Sequence, residues 1–352
     1  MIKIITASER DIPAIEEILL DAVRWLEGIG KPLWREDDVR WNRLSLQFAA
    51  SDFHIALLYG RPAACMAVVD HDPVLWPEIP KGQSLFIHKL AVKRFAAGKG
   101  LSAALIAHAK SMCIDREIPV LRLDCHSLMP KLRAVYERNG FVCVAEKFLF
   151  EKHHIAFYEC EVHDTRHLYH YYEKALPPLR AITALPFDEA AAILRARQRE
   201  DPNLTSPHID WFLTRRYDME RTLREKFIAI GGKPVRAAPV YCTLGANKGM
   251  QTWFREAAHL RIPIGAFDPD TISFTYGDTF PMFNAALDEG EEWRSRVYRY
   301  ADMLKLIEKY GYPEDPAYDS IHGVFPQDKP INHYLKYIEA HVWSDEVLNL
   351  YR

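Results

Sequence analysis

The six cysteines of this 352-residue chain, Cys65, Cys113, Cys125, Cys143, Cys160 and Cys242, include no Cys-x-x-Cys pair. Without paired ligand spacing, a structural zinc site is not expected, and no metal is. Single thiols inside apolar runs read instead as buried free cysteines of a reducing compartment. No uninterrupted apolar run approaches the ~20 residues of a membrane span. The N-terminus, MIKIITASERD, lacks the basic-then-apolar order of a signal peptide. A net charge of −3 supplies no basic excess for nucleic acid or anionic lipid. Gly245-Ala246-Asn247-Lys248-Gly249 lacks the spacing of a nucleotide-binding loop and reads as a plain turn. These absences point to a cytoplasmic protein without nucleic-acid or membrane partners.

The length favours two domains, since single domains usually hold ~100–200 residues. Residues 1–162 read as one mixed α/β unit. Ile2–Ile5 is a short strand, and Asp11 and Pro13 open a helix whose apolar face is Ile12, Ile15, Leu19, Ala22 and Leu26. A more polar helical stretch is expected over Asp37–Ala50. His54–Tyr59 and Ala63–Val69 form a hairpin about Gly60-Arg61-Pro62. Val120–Asp124 is a buried strand, Pro130–Asn139 a short helix, and Val142–Phe150 and His154–Val162 two closing strands. Hairpins combined with a strand–helix–strand crossover imply a mixed sheet, α+β in character.

The segment Ser84–Lys110, SLFIHKLAVKRFAAGKGLSAALIAHAK, carries the chemistry. A strand with Leu85, Ile87, Leu90 and Val92 feeds the turn Ala97-Gly98-Lys99-Gly100. A helix then bears Leu101, Ala104, Leu105, His108, Met112 and Cys113. Backbone N–H groups converge where such a turn enters a helix, and that point suits a phosphate.

With the strand LRLDC and the segment LRAVYERNGF at Leu132–Phe141, this segment resembles the GNAT superfamily of acyl-CoA N-acyltransferases. The resemblance covers most of residues 1–162. It implies that Leu90, Ala91 and Val92 lie beside the pantetheine arm of acetyl-CoA. The turn Ala97, Gly98, Lys99, Gly100, Leu101 and Ser102 would then hold the pyrophosphate. Three positions depart from the family pattern, one of them Ser102, where Gly or Ala is usual. Ala97 stands where Arg or Gln is usual, and Met129 where Asn is common. Lys93, Arg94 or Lys99 is left to supply the missing charge. Tyr136 sits where the family often has a tyrosine near the cofactor sulfur, placed to protonate the departing thiolate. The backbone N–H near Leu90 would polarise the thioester carbonyl. For the general base the candidates are His88, Asp124 or a relayed water. Trp34 reads as a lid of the core, with a wall of the acceptor pocket as the alternative. The implied activity is acetyl transfer to the amine of a small molecule or peptide by direct attack in a ternary complex. A decayed CoA-binding module is the alternative that Ala97 and Met129 motivate. The oligomeric state, a homodimer included, stays open.

Residues 163–352 form a separate α+β domain of unknown function, shaping the acceptor site or recognising a partner. Helices are expected at Asp188–Glu200, Asp210–Lys226 and Arg299–Tyr310, with a polar break at Asp201–Pro207. Strands are expected at Phe227–Ile230, Val240–Leu244 and Thr271–Tyr276, and Tyr334–Val342 is a last ordered element. Trp211–Phe227 reads as a solvated helix with intrahelical ion pairs. Trp211, Trp253, Trp293 and Trp343 read as core anchors. HLYHYY and IEAHVW bear a loose likeness to ADP-ribosyltransferase-like folds, which would make His170 and Glu339 the residues of a second, NAD-type activity.

Overall fold

The computed structural model describes residues 2–150, 153–200, 208–284, 290–313 and 337–352. The polar break expected at Asp201–Pro207 and residues 334–336 of the last ordered element lie outside them. The chain divides into two compact units, Met1–Val162 and His163–Arg352.

The first unit is built on a seven-stranded sheet. Its strands are β1 (Ile2–Thr6), β2 (Phe53–Leu58), β3 (Arg61–Val69), β4 (Leu85–Val92), β5 (Val120–His126), β6 (Val142–Leu149) and β7 (His153–Glu161), in the order β1-β2-β3-β4-β5-β7-β6. Neighbours pair antiparallel except β4 and β5, which are parallel and joined by the crossover helix α3 (Leu101–Asp115). One face packs Leu85, Ile87, Leu121 and Leu123 against Leu101, Leu105, Ala109 and Cys113 of α3. Helix α1 (Ile12–Gly28) buries Ile15, Ile18, Leu19 and Val23 against Phe53, Ile55, Cys65 and Ala67 on the other face. Such two-sided cover accounts for the nearly unbroken apolar runs of the central strands. Helix α4 (Pro130–Glu137) follows β5.

Two local expectations are corrected here. The Asp11 carboxylate does not cap α1; it accepts from the backbone N–H and hydroxyl of Ser8, closing a 3₁₀ turn ahead of the helix. Asp37–Ala50 is not one helix but a 3₁₀ turn at Glu36–Val39, the short helix α2 (Trp41–Leu44) and a 3₁₀ turn from Ala50.

Behind the β4–β5 pair the sheet holds a buried cation. Arg122 on β5 donates from Nε to Glu159 Oε1 at 2.8 Å, bonds Ser84 Oγ, and lies over the Trp76 ring at 5.3 Å. Opposite charge and a hydrogen-bonded surround are what make a buried guanidinium tolerable. They fix the loop before β4 against β5.

The second unit is a five-stranded antiparallel sheet of β8 (His167–Glu173), β9 (Val240–Leu244), β10 (Ala257–Pro263), β11 (Ile272–Thr275) and β12 (Glu339–Val342), in the order β10-β8-β9-β12-β11. Helices α5 (Phe187–Glu200) and α6 (Ile209–Ala229) pack through Ala190, Ala191, Leu194 and Leu213, and α9 (Tyr300–Tyr310), after the short α7 (Lys248–Gln251) and α8 (Thr279–Met282), packs through Met303 and Leu306. Phe227–Ala229 continues α6 rather than forming a strand, because Phe227 completes the buried helix face of Met219, Glu220 and Leu223. Within α6, Arg221 pairs with Asp218, but Arg216 stacks on Tyr241 at 3.7 Å and pairs with Glu220 at 3.2 Å, so the helix is not uniformly solvated. Trp343 is fully buried, whereas Trp211 and Trp253 are exposed and are not core anchors. Among the described residues no helix is long and apolar enough to cross a membrane.

Candidate active site

On β4, Ala67 stands opposite His88 and Cys65 opposite Ala91, so Lys89 and Leu90 together face Met66. The extra residue makes a β-bulge, and Lys89 adopts φ +53°. A bulge bends its strand and re-aims side chains. Parallel pairing with β5 ends at Ile87 and Leu123, although β4 runs on to Val92 and β5 to His126. Beyond that point the strands part. A cavity of about 1140 Å³ fills the opening, bounded by His88–Val92 on one side and Asp124–His126 on the other. Typical ligand pockets hold ~300–1,000 Å³, so there is room for a large cofactor.

The glycine turn closes one end of this cavity. Gly98 and Gly100 take φ +74° and +78°, and Gly100 is the N-cap of α3. The first helical bond runs from Ala104 N to Gly100 O at 3.0 Å, which leaves the earlier N–H groups of the helix pointing outward. Among the described residues, chain neighbours aside, a Cβ on either glycine meets no atom within 4 Å, so the space before the turn is open. Ala97, Leu101 and Ser102 also line it; Lys99 does not, and its N–H already bonds Ala96 O at 3.3 Å. Of the basic residues weighed as replacements for Ala97, Lys93 is held by Glu17 at 2.6 Å, while Arg94 lies over Trp25 at 4.1 Å and lines the cavity. Lys131 on α4 lines it too, a charge the sequence reading missed.

Tyr136 comes from α4. Pro130 sets the first turn of that helix, and Met129 occupies its N-cap without a side-chain bond. The Tyr136 ring packs against Phe141 and Tyr158, each at 6.1 Å, and the residue lines the cavity. Among the described residues its hydroxyl has no hydrogen-bond partner. Burial raises its phenol above the usual 10, and nearby Cys125 and Asp124 add to the rise. The hydroxyl therefore stays protonated and free to donate.

Opposite lies a polar group of four. His88 Nε2 is 3.6 Å from Asp72 Oδ2, and ligand atoms of Asp72, His88 and Asp124 all lie within 4.8 Å of one another. Burial lowers the His88 pKa; Asp72 works against this and Lys89 with it. Burial pushes the Asp124 carboxyl up to about 7; Asp72 adds to the push and the Lys89 ammonium opposes it. Lys89 lies over the Trp34 ring at 5.0 Å, and burial lowers its pKa. Trp34 packs against the α1 core and also forms part of the cavity wall. The geometry thus brings together Tyr136, His88 and Asp124, and adds Asp72 and Lys89, which carried no motif.

The Asp124 shift has a consequence for stability. The carboxyl's folded pKa lies above the ordinary 3.8, so its contribution is complete below pH ~4 and is lost as pH rises towards 7. Asp124→Asn, which imitates the neutral acid, is expected to stabilise this unit by up to about 4 kcal/mol at pH 8 and by nearly nothing at pH 4. Urea unfolding at both pH values checks this; an equal effect at both would show that the carboxyl titrates normally.

In the second unit, His170 and Glu339 do not meet. Tyr169, Thr243 and Glu339 stand in one row across β8, β9 and β12. Alternate residues face opposite sides of a sheet, so His170 lies on the other face from Glu339. Both His170 ring nitrogens are engaged, Nδ1 with Tyr241 O and Nε2 with Leu179 N, each at 2.9 Å. His170 is a buried structural histidine.

Residues 14–141 match the model of the acetyltransferase (GNAT) family. The curated "Uncharacterized N-acetyltransferase YesJ" of Bacillus subtilis (strain 168) is 34% identical over 70 residues, which is 20% of this chain and 39% of that protein. The chain thus spans well under half the length of this relative. Solved structures similar to the chain include a GNAT-family acetyltransferase from Listeria monocytogenes 4b F2365 (24% identity, TM-score 0.38), covering 46% of this chain and 94% of that one. The ribosomal-protein-S18-alanine N-acetyltransferase of Escherichia coli (19%, TM-score 0.35) covers the same shares. The N-terminal unit thus carries, over residues 14–141, a match to the acetyltransferase (GNAT) family.

Proposed function

We propose that the N-terminal unit transfers the acetyl group of acetyl-CoA to a primary amine of a small molecule or peptide by direct attack in a ternary complex. The observation that carries this reading is the parting of β4 and β5 at the Lys89–Leu90 bulge, with an open glycine turn at one end and Tyr136 in the wall. The turn receives the pyrophosphate on the N–H groups of Gly98, Gly100, Leu101 and Ser102, and Leu90–Val92 flank the pantetheine. The Leu90 N–H donates to the thioester oxygen as negative charge builds there. The amine nitrogen bonds to the carbonyl carbon, the C–S bond breaks, and the thiolate takes a hydrogen bond or proton from Tyr136. His88 or Asp124 accepts the proton the amine loses. Direct attack is favoured over an acyl-enzyme because Cys125, which lines the cavity, has its thiol pushed up to about 12, chiefly by burial. Such a thiol is un-ionised at neutral pH and a poor nucleophile. All six cysteines are unpaired, which supports a cytoplasmic location. The second unit is an accessory domain.

Calorimetric titration with acetyl-CoA, paired with a thiol-release assay over a panel of amines, tests this. The expected result is binding together with turnover on at least one amine. Tight binding with no turnover on any amine would instead identify a CoA-binding module, the reading that Ala97 and Met129 favour. An absence of binding would remove both.

A further inference from the structure

Asp72 sits in the loop between β3 and β4 and is 6% exposed. One of its carboxylate oxygens, Oδ1, is committed to the backbone: it accepts from Val74 N at 3.1 Å and Leu75 N at 3.0 Å. The other, Oδ2, is buried with no hydrogen-bond partner among the described residues and faces His88 Nε2 at 3.6 Å. A buried carboxylate oxygen is costly to leave unmatched. The group placed to match it is the His88 imidazole, above all when it becomes an imidazolium.

We propose that Asp72 is the positioning residue of the general base: it holds His88 with the proton on Nε2, leaving Nδ1 to take the proton of the acceptor amine. The proposal rests on the acetyl-transfer reading above. In the step, an N–H bond of the acceptor's ammonium breaks and an Nδ1–H bond forms, which frees the lone pair with which the amine then attacks. The positive charge moves from the amine to the ring, where the Asp72 carboxylate faces it. The same logic orients histidines paired with carboxylates elsewhere. The two backbone N–H groups on Oδ1 fix the carboxylate, so the orientation of the ring is set before substrate enters. The groups that face His88 are Asp72 from the loop, Asp124 from β5, Lys89 from its own strand and the Phe48 ring at 5.6 Å. Asp72 is thus the nearest charge opposed to Lys89, whose ammonium disfavours an imidazolium.

Two carboxylates and a histidine this close also compose a candidate cation site. On the proposed tautomer the His88 nitrogen that faces Asp72 carries a proton, and a protonated nitrogen is no metal ligand. The Lys89 ammonium beside the group repels a cation as well.

Asp72→Asn separates these readings, because asparagine keeps an Oδ1 for Val74 and Leu75 while removing the charge. Nitrogen-detected NMR of the ¹⁵N-histidine-labelled full chain, with His88 assigned by its loss in His88→Gln, reads tautomer and titration without any acceptor. The wild type is expected to show the Nε2–H tautomer. In Asp72→Asn that preference should weaken and the His88 titration should move to lower pH. On an amine that turns over, the variant should lose at least tenfold in kcat with acetyl-CoA KM unchanged, and the acid limb of its pH profile should shift to lower pH. An Nδ1–H tautomer in the wild type, or a titration and acid limb unmoved by the substitution, would overturn the proposal. So would stoichiometric binding of Zn²⁺ or Mn²⁺ that activity requires. If no amine turns over, the acetyl-transfer reading fails, and the NMR result still decides whether Asp72 orients His88.

Discussion

Tyr136→Phe should lower kcat about 10²–10³-fold while leaving the dissociation constant of acetyl-CoA within about threefold of wild type. The size follows from the usual worth of a positioned general acid, ~10²–10⁴-fold. The split between kcat and affinity follows from the site. The Tyr136 hydroxyl bonds nothing among the described residues, so removing it orphans no buried partner. Its ring keeps its packing on Phe141 and Tyr158. A phenol raised by burial stays protonated through the neutral range, so its O–H is available to donate when a thiolate forms. An interaction made in the transition state and not in the ground state lowers kcat and kcat/KM together. Stopped-flow or thiol-release kinetics with calorimetry checks both halves. Unchanged turnover would remove Tyr136 from the acid role.

Gly100→Val should weaken acetyl-CoA binding by two orders of magnitude or more. Two effects are separable by size. A β-branched residue at φ +78° is strained by about 1–2 kcal/mol, which lowers stability but leaves the unit folded. The larger effect is occlusion. Apart from its chain neighbours, none of the described residues lies within 4 Å of the new Cβ, so the side chain enters the space that the phosphates would occupy. It also covers N–H groups at the start of α3. Gly100→Ala should fall between wild type and valine. A melting curve confirms folding, and calorimetry reads the affinity. An affinity equal to wild type would mean that the phosphates bind elsewhere.

Much of the first unit was legible because its signals are local. The glycine turn, the helix after it and the Pro130 helix start depend on residues within one turn of chain. The mixed sheet followed from apolar strands separated by hairpin and crossover signals. The bulge was not legible. Leu85–Val92 reads as an ordinary strand, and only the register against Cys65 and Ala67 places two residues opposite Met66. Lys89 thereby turns into the cavity, an orientation that alternation along the strand does not predict. Asp72 was invisible for a related reason. It lies in a proline-containing loop whose path is set by Trp76 packing on Phe86 and Phe157, a long-range contact with no periodic trace. In the second unit, β8 was hidden in a His- and Tyr-rich run. Phe227 looked like the start of a strand because an apolar end of a buried helix and a short strand share a composition.

The most direct test of the account is a crystal structure of the full chain with acetyl-CoA bound. The account predicts the pyrophosphate on the N–H groups of Gly98, Gly100, Leu101 and Ser102, the thioester oxygen within about 3 Å of the Leu90 N–H, and the sulfur within hydrogen-bond reach of the Tyr136 hydroxyl. A cofactor whose thioester lies away from the β4–β5 opening, or whose sulfur is remote from Tyr136, would contradict it.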